Sequence, residues 1–547
     1  MYNYDEFYKK YPVNQHDAIG EHHARFASIA SLCKGKILDL GCGTGSLADY
    51  FFGDYTGLDI SKVAIEKAKE IRRKDAKFFV HNCTDLSDYD VKDFDTIVLA
   101  EFLEHIENDD KIFDVISKNA KKDARLIITC PNGPRIPDES HVRELTIPIL
   151  RKKLSPLGKV KFYNWPGAVF QILCSVDLDQ KNDNLVSLVM IVKDEEKGLE
   201  KAIFSAMDFC DDIVIAVDNK STDKTLEIAK LYADVLKTFE FQNDFSAARN
   251  FAHEGVKTKW CFFLDGHEYV AKRDNLEKFL ALENDGLLIS IELENGFSFP
   301  NPRFYKTGCY FEGAVHEKQS CKTTILYPDF LIKHDRLTAQ SKEASIARQI
   351  QRDEMTPRIM LEQLKKDPKN IRALFHMGNF YQARGNFKKA IAFFDRYLKF
   401  SKNIQERWFV FFQRSLCFLA MGKNFRAFFS ISRADWELRG RWETKKLKGL
   451  LLFQQKKYQQ ALEYFVSSFD PTPYETLYRP FLRDDAGTWN LIGECFFNLG
   501  DFDRAAISFD RAAELTQNEI KKKFFEKRGS LMREILKQTL LKKQRTA

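Results

Sequence analysis

Short apolar runs alternate with amphipathic stretches over the first third of the chain. The runs are Lys36–Leu40, Tyr55–Ile60, Lys77–His81, Asp95–Ala100 and Arg125–Cys130, with two later ones near Lys159–Trp165 and Val169–Val176. Strand-length runs separated by helical periodicity predict a doubly wound sheet. The polar stretch from Asp177 to Asn184 reads as a linker. A second alternating series opens at Leu185, with strands Val186–Val192, Ile213–Asp218, Val235–Phe239 and Trp260–Asp265. Helices up to about Phe209, over Asp223–Ala233 and over Phe245–Val256 separate them, and beyond Gly286 strands dominate.

From about Ser345 the period is helical to the end and carries a weak repeat. Small residues Gly378, Ser415, Gly449 and Gly493 are spaced by 37, 34 and 44 residues. Twelve positions after each stands Ala390, Ala427, Ala461 or Ala505. Aromatics accompany them: Tyr381, Phe418 and Phe496 early in the unit, Phe394, Phe465 and Phe509 late in it. Small residues let two helices cross closely while aromatics fill the gap, so the pattern resembles the tetratricopeptide repeat. The expected fold class is therefore α/β, then α/β, then all-α, over residues 1–180, 185–340 and 345–547.

Composition adds little to that picture and excludes some classes. A chain of 547 residues suggests roughly three domains at ~150 residues each. The net charge of +7, from 85 basic and 78 acidic residues, is too slight and dispersed for a nucleic-acid partner. Eleven cysteines without a CxxC pair fit reduced thiols. With neither a signal-peptide pattern nor a transmembrane run, the expectation is a cytoplasmic protein.

The segment Ile37-Leu-Asp-Leu-Gly-Cys-Gly-Thr-Gly45 sets a Gly-rich turn between the first strand and a helix. Gly41, Gly43 and Gly45 let backbone approach a ligand closely. Asp59 ends the second strand, where a carboxylate meets ribose hydroxyls. Asp85 follows the third strand, and Glu101 with Glu104-His105 follows the fourth. Together these resemble the class I S-adenosylmethionine-dependent methyltransferases, which have a Rossmann-like fold. The resemblance implies that Asp39, Gly41, Gly43, Gly45, Asp59 and Asp85 hold the methyl donor. His141, after strand five, is a candidate to take a proton from the acceptor, or else a helix cap.

Four further blocks appear in order. They are Val186-Ser-Leu-Val-Met-Ile-Val-Lys-Asp-Glu-Glu196, Val217-Asp-Asn-Lys-Ser-Thr-Asp-Lys-Thr225, Asp244-Phe-Ser-Ala-Ala-Arg-Asn250 and Leu264-Asp-Gly-His-Glu268. They resemble family-2 glycosyltransferases of GT-A fold. That resemblance implies a nucleotide-sugar donor contacted by Asp194, Asp218 and Arg249. It also implies a divalent metal, Mn²⁺ or Mg²⁺, because a diphosphate leaving group needs its charge neutralised. Where the family usually has Asp-x-Asp, this chain has Asp265-x-His267, which suits Mn²⁺ better than an all-oxygen Mg²⁺ site. His316 and His334 are candidate further ligands, and Glu317 and Glu312 candidate bases for inverting transfer. The chain also resembles a narrower group that joins such a domain to tetratricopeptide repeats; some of its members modify peptides, and others build surface glycans.

The expectation is a bifunctional transferase acting on a glycan, glycoconjugate or protein acceptor, with repeats that bind a partner or self-associate. Two competing readings are an interaction protein with one decayed enzymatic domain, and a protein methyltransferase whose second domain only positions substrate.

Overall fold

The computed structural model describes residues 3–10, 20–181, 184–294, 296, 298–315, 317–335, 342–471 and 483–546. The chain divides into two compact units, Met1–Gln351 and Arg352–Ala547.

The first unit holds two large sheets. One contains β1 (Ile37–Leu40), β2 (Tyr55–Asp59), β3 (Lys77–Val80), β4 (Thr96–Ala100), β5 (Arg125–Pro131), β6 (Gly158–Phe162) and β7 (Gln171–Leu178). Their order is β3-β2-β1-β4-β5-β7-β6, parallel except for β7, which runs antiparallel to β5 and β6. Every residue of β1 is buried, as a central parallel strand covered on both faces requires. The order reverses between β1 and β4, so the crevice at their carboxyl ends is the place where such sheets bind ligands. The last strand starts two residues later than its apolar run. Trp165 to Phe170 is instead spent on a turn, closed by hydrogen bonds from Ala168 N–H to Trp165 O and from Gln171 N–H to Gly167 O.

The second sheet runs β10-β9-β8-β11-β14-β13-β17-β12. Its parallel half is β8 (Val186–Val192), β9 (Asp212–Asp218), β10 (Val235–Phe239) and β11 (Trp260–Phe263). The rest is β12 (Glu268–Arg273), β13 (Gly286–Glu292), β14 (Ser298–Lys306) and β17 (Thr324–His334), with β15 (Phe311–Glu312) and β16 (Lys318–Gln319) forming a separate ribbon. Strand β12 is not announced by the apolar pattern. Its charged end, Lys272-Arg273, suits an edge position, and it pairs antiparallel with β17 so that Glu268 lies opposite His334.

The two sheets share one continuous hydrophobic core, running from Ile29 to Ile332 in sequence. Polar contacts join them as well. The Asn132 amide donates to the Tyr232 hydroxyl at 2.9 Å, Arg135 pairs with Glu200 at 2.6 Å, and Arg151 pairs with Asp234 at 3.0 Å.

Among its described residues the second unit includes the helical hairpins Ile371–Ala383 with Phe387–Phe400, Ile404–Ala420 with Asn424–Glu437, Trp442–Gln454 with Tyr458–Ser467, and Asp485–Asn498 with Phe502–Leu515. Asn370, Asn386, Asn403, Asp484 and Asp501 cap their helices through side-chain oxygens, satisfying otherwise orphaned N–H groups. A left-handed residue turns each hairpin: Gly385, Gly422, Lys456 and Gly500. A Cβ on Gly378, Gly449 or Gly493 would stand 2.3, 2.6 or 2.7 Å from the ring of Phe394, Phe465 or Phe509 respectively. Ala390, Ala427, Ala461 and Ala505 are fully buried in the second helices of these four hairpins. Gly493→Leu is therefore expected to force the Phe509 ring aside and to cost about 1–3 kcal/mol. Thermal unfolding followed by circular dichroism checks this, and an unchanged melting temperature would contradict the close crossing. Among the described residues no helix is long and apolar enough to cross a membrane.

Candidate functional sites at the two sheet edges

The loop leaving β1 owes its path to Gly41, Gly43 and Gly45, whose φ values of 76, 54 and 74° few L-residues adopt. Asp59 braces it from the end of β2. Its Oδ2 accepts the Gly43 N–H at 2.9 Å, and its Oδ1 accepts the Ser61 N–H at 2.8 Å. Asp39 lies within β1, buried, and receives the Tyr55 hydroxyl. Burial pushes the Asp39 carboxyl up to about 7 and raises that of Asp59 as well. Asp85 is exposed beyond β3, where hydrogen bonds from Ser87 hold its carboxyl below the usual range.

A short helix, Tyr4–Lys10, roofs this loop. Asp5 docks it by accepting from the Ser61 hydroxyl at 2.5 Å and from the Val63 N–H at 3.2 Å. The Tyr8 hydroxyl stands 2.6 Å from where a Cβ on Gly43 would be. At seven residues the helix is too short for its periodicity to be read.

Beside the loop opens a cavity of about 640 Å³, lined by Tyr4, Tyr8, Glu104, His141, Trp165 and Phe170 among others. Glu104 is 2% exposed, and neither carboxylate oxygen has a hydrogen-bond partner. Burial there pushes its carboxyl up to about 9. The ligand atoms of Glu104, His105 and His141 all lie within 4.8 Å of one another. Sequence reasoning singled out His141 and gave His105 only its place after the fourth strand. The grouping depends on the chain returning to β4 after β5, which no local pattern announces.

In the second sheet the residues singled out gather at the carboxyl ends of β8, β9 and β11. Asp218, buried at the end of β9, accepts the Lys220 N–H at 3.1 Å and lies 3.5 Å from the Lys193 ammonium. Asp194, at a left-handed φ of 49°, ties the loop after β8 to the loop after β9 by accepting the Thr222 N–H at 2.7 Å. Asp244 caps helix Phe245–His253, while Arg249 of that helix pairs with Glu317 at 3.0 Å and with Asp265 at 3.8 Å. Glu312 is exposed on β15. His316 lies outside the described residues.

After β11 the chain turns tightly through Gly266, where a Cβ would come within 2.8 Å of the Glu195 side chain. Glu195 Oε1 lies 3.4 Å from His267 Nδ1, and the buried Nε2 of His267 has no hydrogen-bond partner. His267, Glu268 and His334 place their ligand atoms within 4.8 Å of one another, a group that does not include Asp265. Glu268 is fully buried and is held by Arg303 at 2.7 Å and by His334 Nε2 at 2.8 Å. Burial pushes the Glu268 carboxyl up, but the Arg303 guanidinium and the His334 hydrogen bond outweigh it and hold the group below its usual range. The unpartnered imidazole nitrogen of His267 fits a divalent cation that tolerates imidazole, such as Mn²⁺. Glu195 and Glu268 as anchors of the two imidazoles are what sequence reasoning missed; the Glu-Glu and His-Glu dipeptides were the available signals.

Comparison with known proteins finds three families in order along the chain. A methyltransferase domain matches residues 33–171, glycosyl transferase family 2 matches 187–319, and tetratricopeptide repeats match 371–404 and 486–519. The chain is thus a transferase that carries a methyltransferase domain, a family-2 glycosyltransferase domain and tetratricopeptide repeats, in that order. Its relatives include the glycosyltransferase SunS of Bacillus phage SPbeta and its prophage-derived counterpart in Bacillus subtilis. Each is 26% identical over 292 residues, covering 50% of this chain and 68% of theirs. A TPR repeat-containing protein of Synechococcus elongatus is 37% identical over 83 residues, 15% of this chain and 20% of that protein. Among solved structures, the YcgJ protein from Bacillus subtilis is 21% identical, with 26% of this chain and 71% of that one covered at a TM-score of 0.23.

Proposed function

We propose that the chain is a bifunctional enzyme, transferring a methyl group from S-adenosylmethionine and a sugar, with inversion, from a nucleotide-sugar to a glycan or glycoconjugate acceptor. The observation that supports this most is the second sheet's edge, where Asp194, Asp218 and Asp265 stand at or just beyond the carboxyl ends of β8, β9 and β11 and Arg249 lies 3.8 Å from Asp265. A relative that is itself a glycosyltransferase supports it further.

In this reading Asp218 receives the donor's base and Asp194 keeps the two flanking loops together. Arg249 leaves Asp265 to meet the diphosphate. A divalent cation at Asp265 and His267, completed by His334 or His316, supplies the charge neutralisation that the leaving group requires. Glu317, half-buried beside Arg249, is better placed than exposed Glu312 to take the acceptor's proton. In the first sheet Gly41, Gly43 and Gly45 admit the donor's methionine portion, Asp59 its ribose and Asp85 its adenine, while His141 stands at the acceptor end. The repeats hold a protein partner or a second copy, and the enzyme works in the cytoplasm.

Calorimetric titration tests both halves at once. S-adenosylmethionine, and one of a panel of nucleotide-sugars with Mn²⁺, are each expected to bind with one site per chain. A chain that binds neither donor would be a scaffold, and one that binds only the methyl donor would leave the second domain a positioning module.

A further inference from the structure

We propose that the methyltransferase domain carries a divalent-cation site of its own, built from Glu104, His105 and His141 at the floor of the acceptor cavity. This deepens the methyl-transfer reading above and rests on it only for the cation's use, not for its binding. Three ligand atoms within 4.8 Å of one another are the first observation. The second is independent of it: Glu104 is 2% exposed, yet both its carboxylate oxygens lack a hydrogen-bond partner. A buried carboxyl group whose two oxygens have no hydrogen-bond partner is costly, and a bound cation would relieve that cost.

The surroundings are those of a prepared ligand set. His105 Nδ1 lies 3.1 Å from the Ser140 carbonyl, so that nitrogen carries the proton and donates, leaving Nε2 as the lone pair for a metal. The segment bearing His141 is fastened to the segment bearing Glu104 by a hydrogen bond from Val142 N–H to Glu104 O at 2.9 Å. Arg143 reinforces the joint, donating to Leu103 O at 3.0 and 2.9 Å and pairing with Asp109 at 2.6 Å. Glu101 stands alongside at a left-handed φ of 50°, with Oε2 held by Gln171 at 2.7 Å and Oε1 unpartnered. Such strain persists only where the surroundings enforce it. Two imidazoles with a carboxylate favour Mn²⁺, Fe²⁺, Co²⁺ or Zn²⁺ over Mg²⁺.

The cavity above these ligands is walled by Tyr4, Phe7, Trp165 and Phe170, and Tyr8 reaches from it to the glycine loop. Aromatic walls with a cation at the floor suit a hydroxylated ring such as a sugar, its hydroxyl held by the metal and made more acidic there. The hydroxyl's proton then passes to water as its oxygen bonds to the methyl carbon. The S–CH₃ bond breaks, and its electron pair stays on sulfur as a neutral thioether. His141 acts as a ligand in this arrangement and not as the proton acceptor.

Mn²⁺ alone is the probe, titrated into the full chain and followed by electron paramagnetic resonance. Two ions per chain are expected in the unsubstituted protein, one of them at the glycosyltransferase edge. His141→Ala and Glu104→Gln should each lose one ion, or weaken it at least tenfold, and His267→Ala should lose the other. His141 is half-exposed, so its variant tests the site without disturbing the core, and circular dichroism checks the fold of both. Unchanged stoichiometry and affinity in both His141→Ala and Glu104→Gln overturns the proposal. A chain that loses an ion in His141→Ala but none in His267→Ala upholds it while removing the cation from the sugar-transfer site.

Discussion

Asp265→Ala is expected to lower nucleotide-sugar turnover by about 10²–10³-fold, the usual cost of removing one group that stabilises developing charge. S-adenosylmethionine binding in the same chain should be unchanged. The argument is electrostatic. In the proposed reaction, breaking the sugar–phosphate bond would leave a diphosphate at a sheet edge that also carries the carboxylates of Asp218, Asp194 and Glu317. Without a cation these repel the leaving group. Asp265 is partly exposed in the turn after β11 and 3.8 Å from the Arg249 guanidinium, a separation long enough to be exchanged for a metal. Glu268 cannot take over, because Arg303 and His334 already hold it in the interior. Donor hydrolysis in Mn²⁺, with and without excess chelator, is the measurement. Equal turnover in the variant would refute metal-assisted cleavage at this edge. His267→Asp sharpens the test by restoring the all-oxygen pair, and it should keep turnover while moving the preference from Mn²⁺ toward Mg²⁺.

How far the sequence foretells these sites depends on what each position has to satisfy. The glycine loop is legible because three successive left-handed positions exclude side chains and leave a visible alternation of glycine. The repeat crossings are legible for a related reason, since each Gly faces the Phe sixteen residues later in the same hairpin. Strand β12 is less visible. Its six residues alternate faintly, and its place at the sheet's edge comes from pairing with β17, a long-range event. The Tyr4–Lys10 helix is equally silent, being stabilised by Asp5 docking on Ser61 and not by its own periodicity. The group at Glu104, His105 and His141 needs something sequence never displays, namely which buried polar atoms end without partners. Glu104 and Glu268 show the difference: both are buried glutamates preceding or following a His, but only Glu268 is neutralised by an arginine in hydrogen-bond contact.

Arg151→Ala is expected to destabilise the whole Met1–Gln351 unit by about 3–5 kcal/mol, the cost of stripping one partner from a buried ion pair. Arg151 comes from the helix preceding β6, whereas the oxygens it meets belong to the second sheet's layer. Its guanidinium pairs with Asp234 at 3.0 Å, donates to the Asp211 carbonyl at 2.5 Å and lies over the Phe162 ring at 4.6 Å. Both charged side chains are largely buried, at 9% and 15% exposure, so removing the cation leaves Asp234 unpaired in a poorly solvated position. Asp234 Oδ2 also accepts the Ile213 N–H at 2.9 Å, so the disturbance reaches the start of β9, the strand that ends in Asp218. Because the methyltransferase and glycosyltransferase sheets share one core, the loss should not stay in either of them. Scanning calorimetry of the full chain should show the transition of this unit moving down as a single peak, and binding of both donors should fail over the same temperature range. Two separated peaks, with only one donor site lost, would instead mean that the sheets fold independently and that the contacts at Arg151, Asn132 and Arg135 merely hold finished domains together.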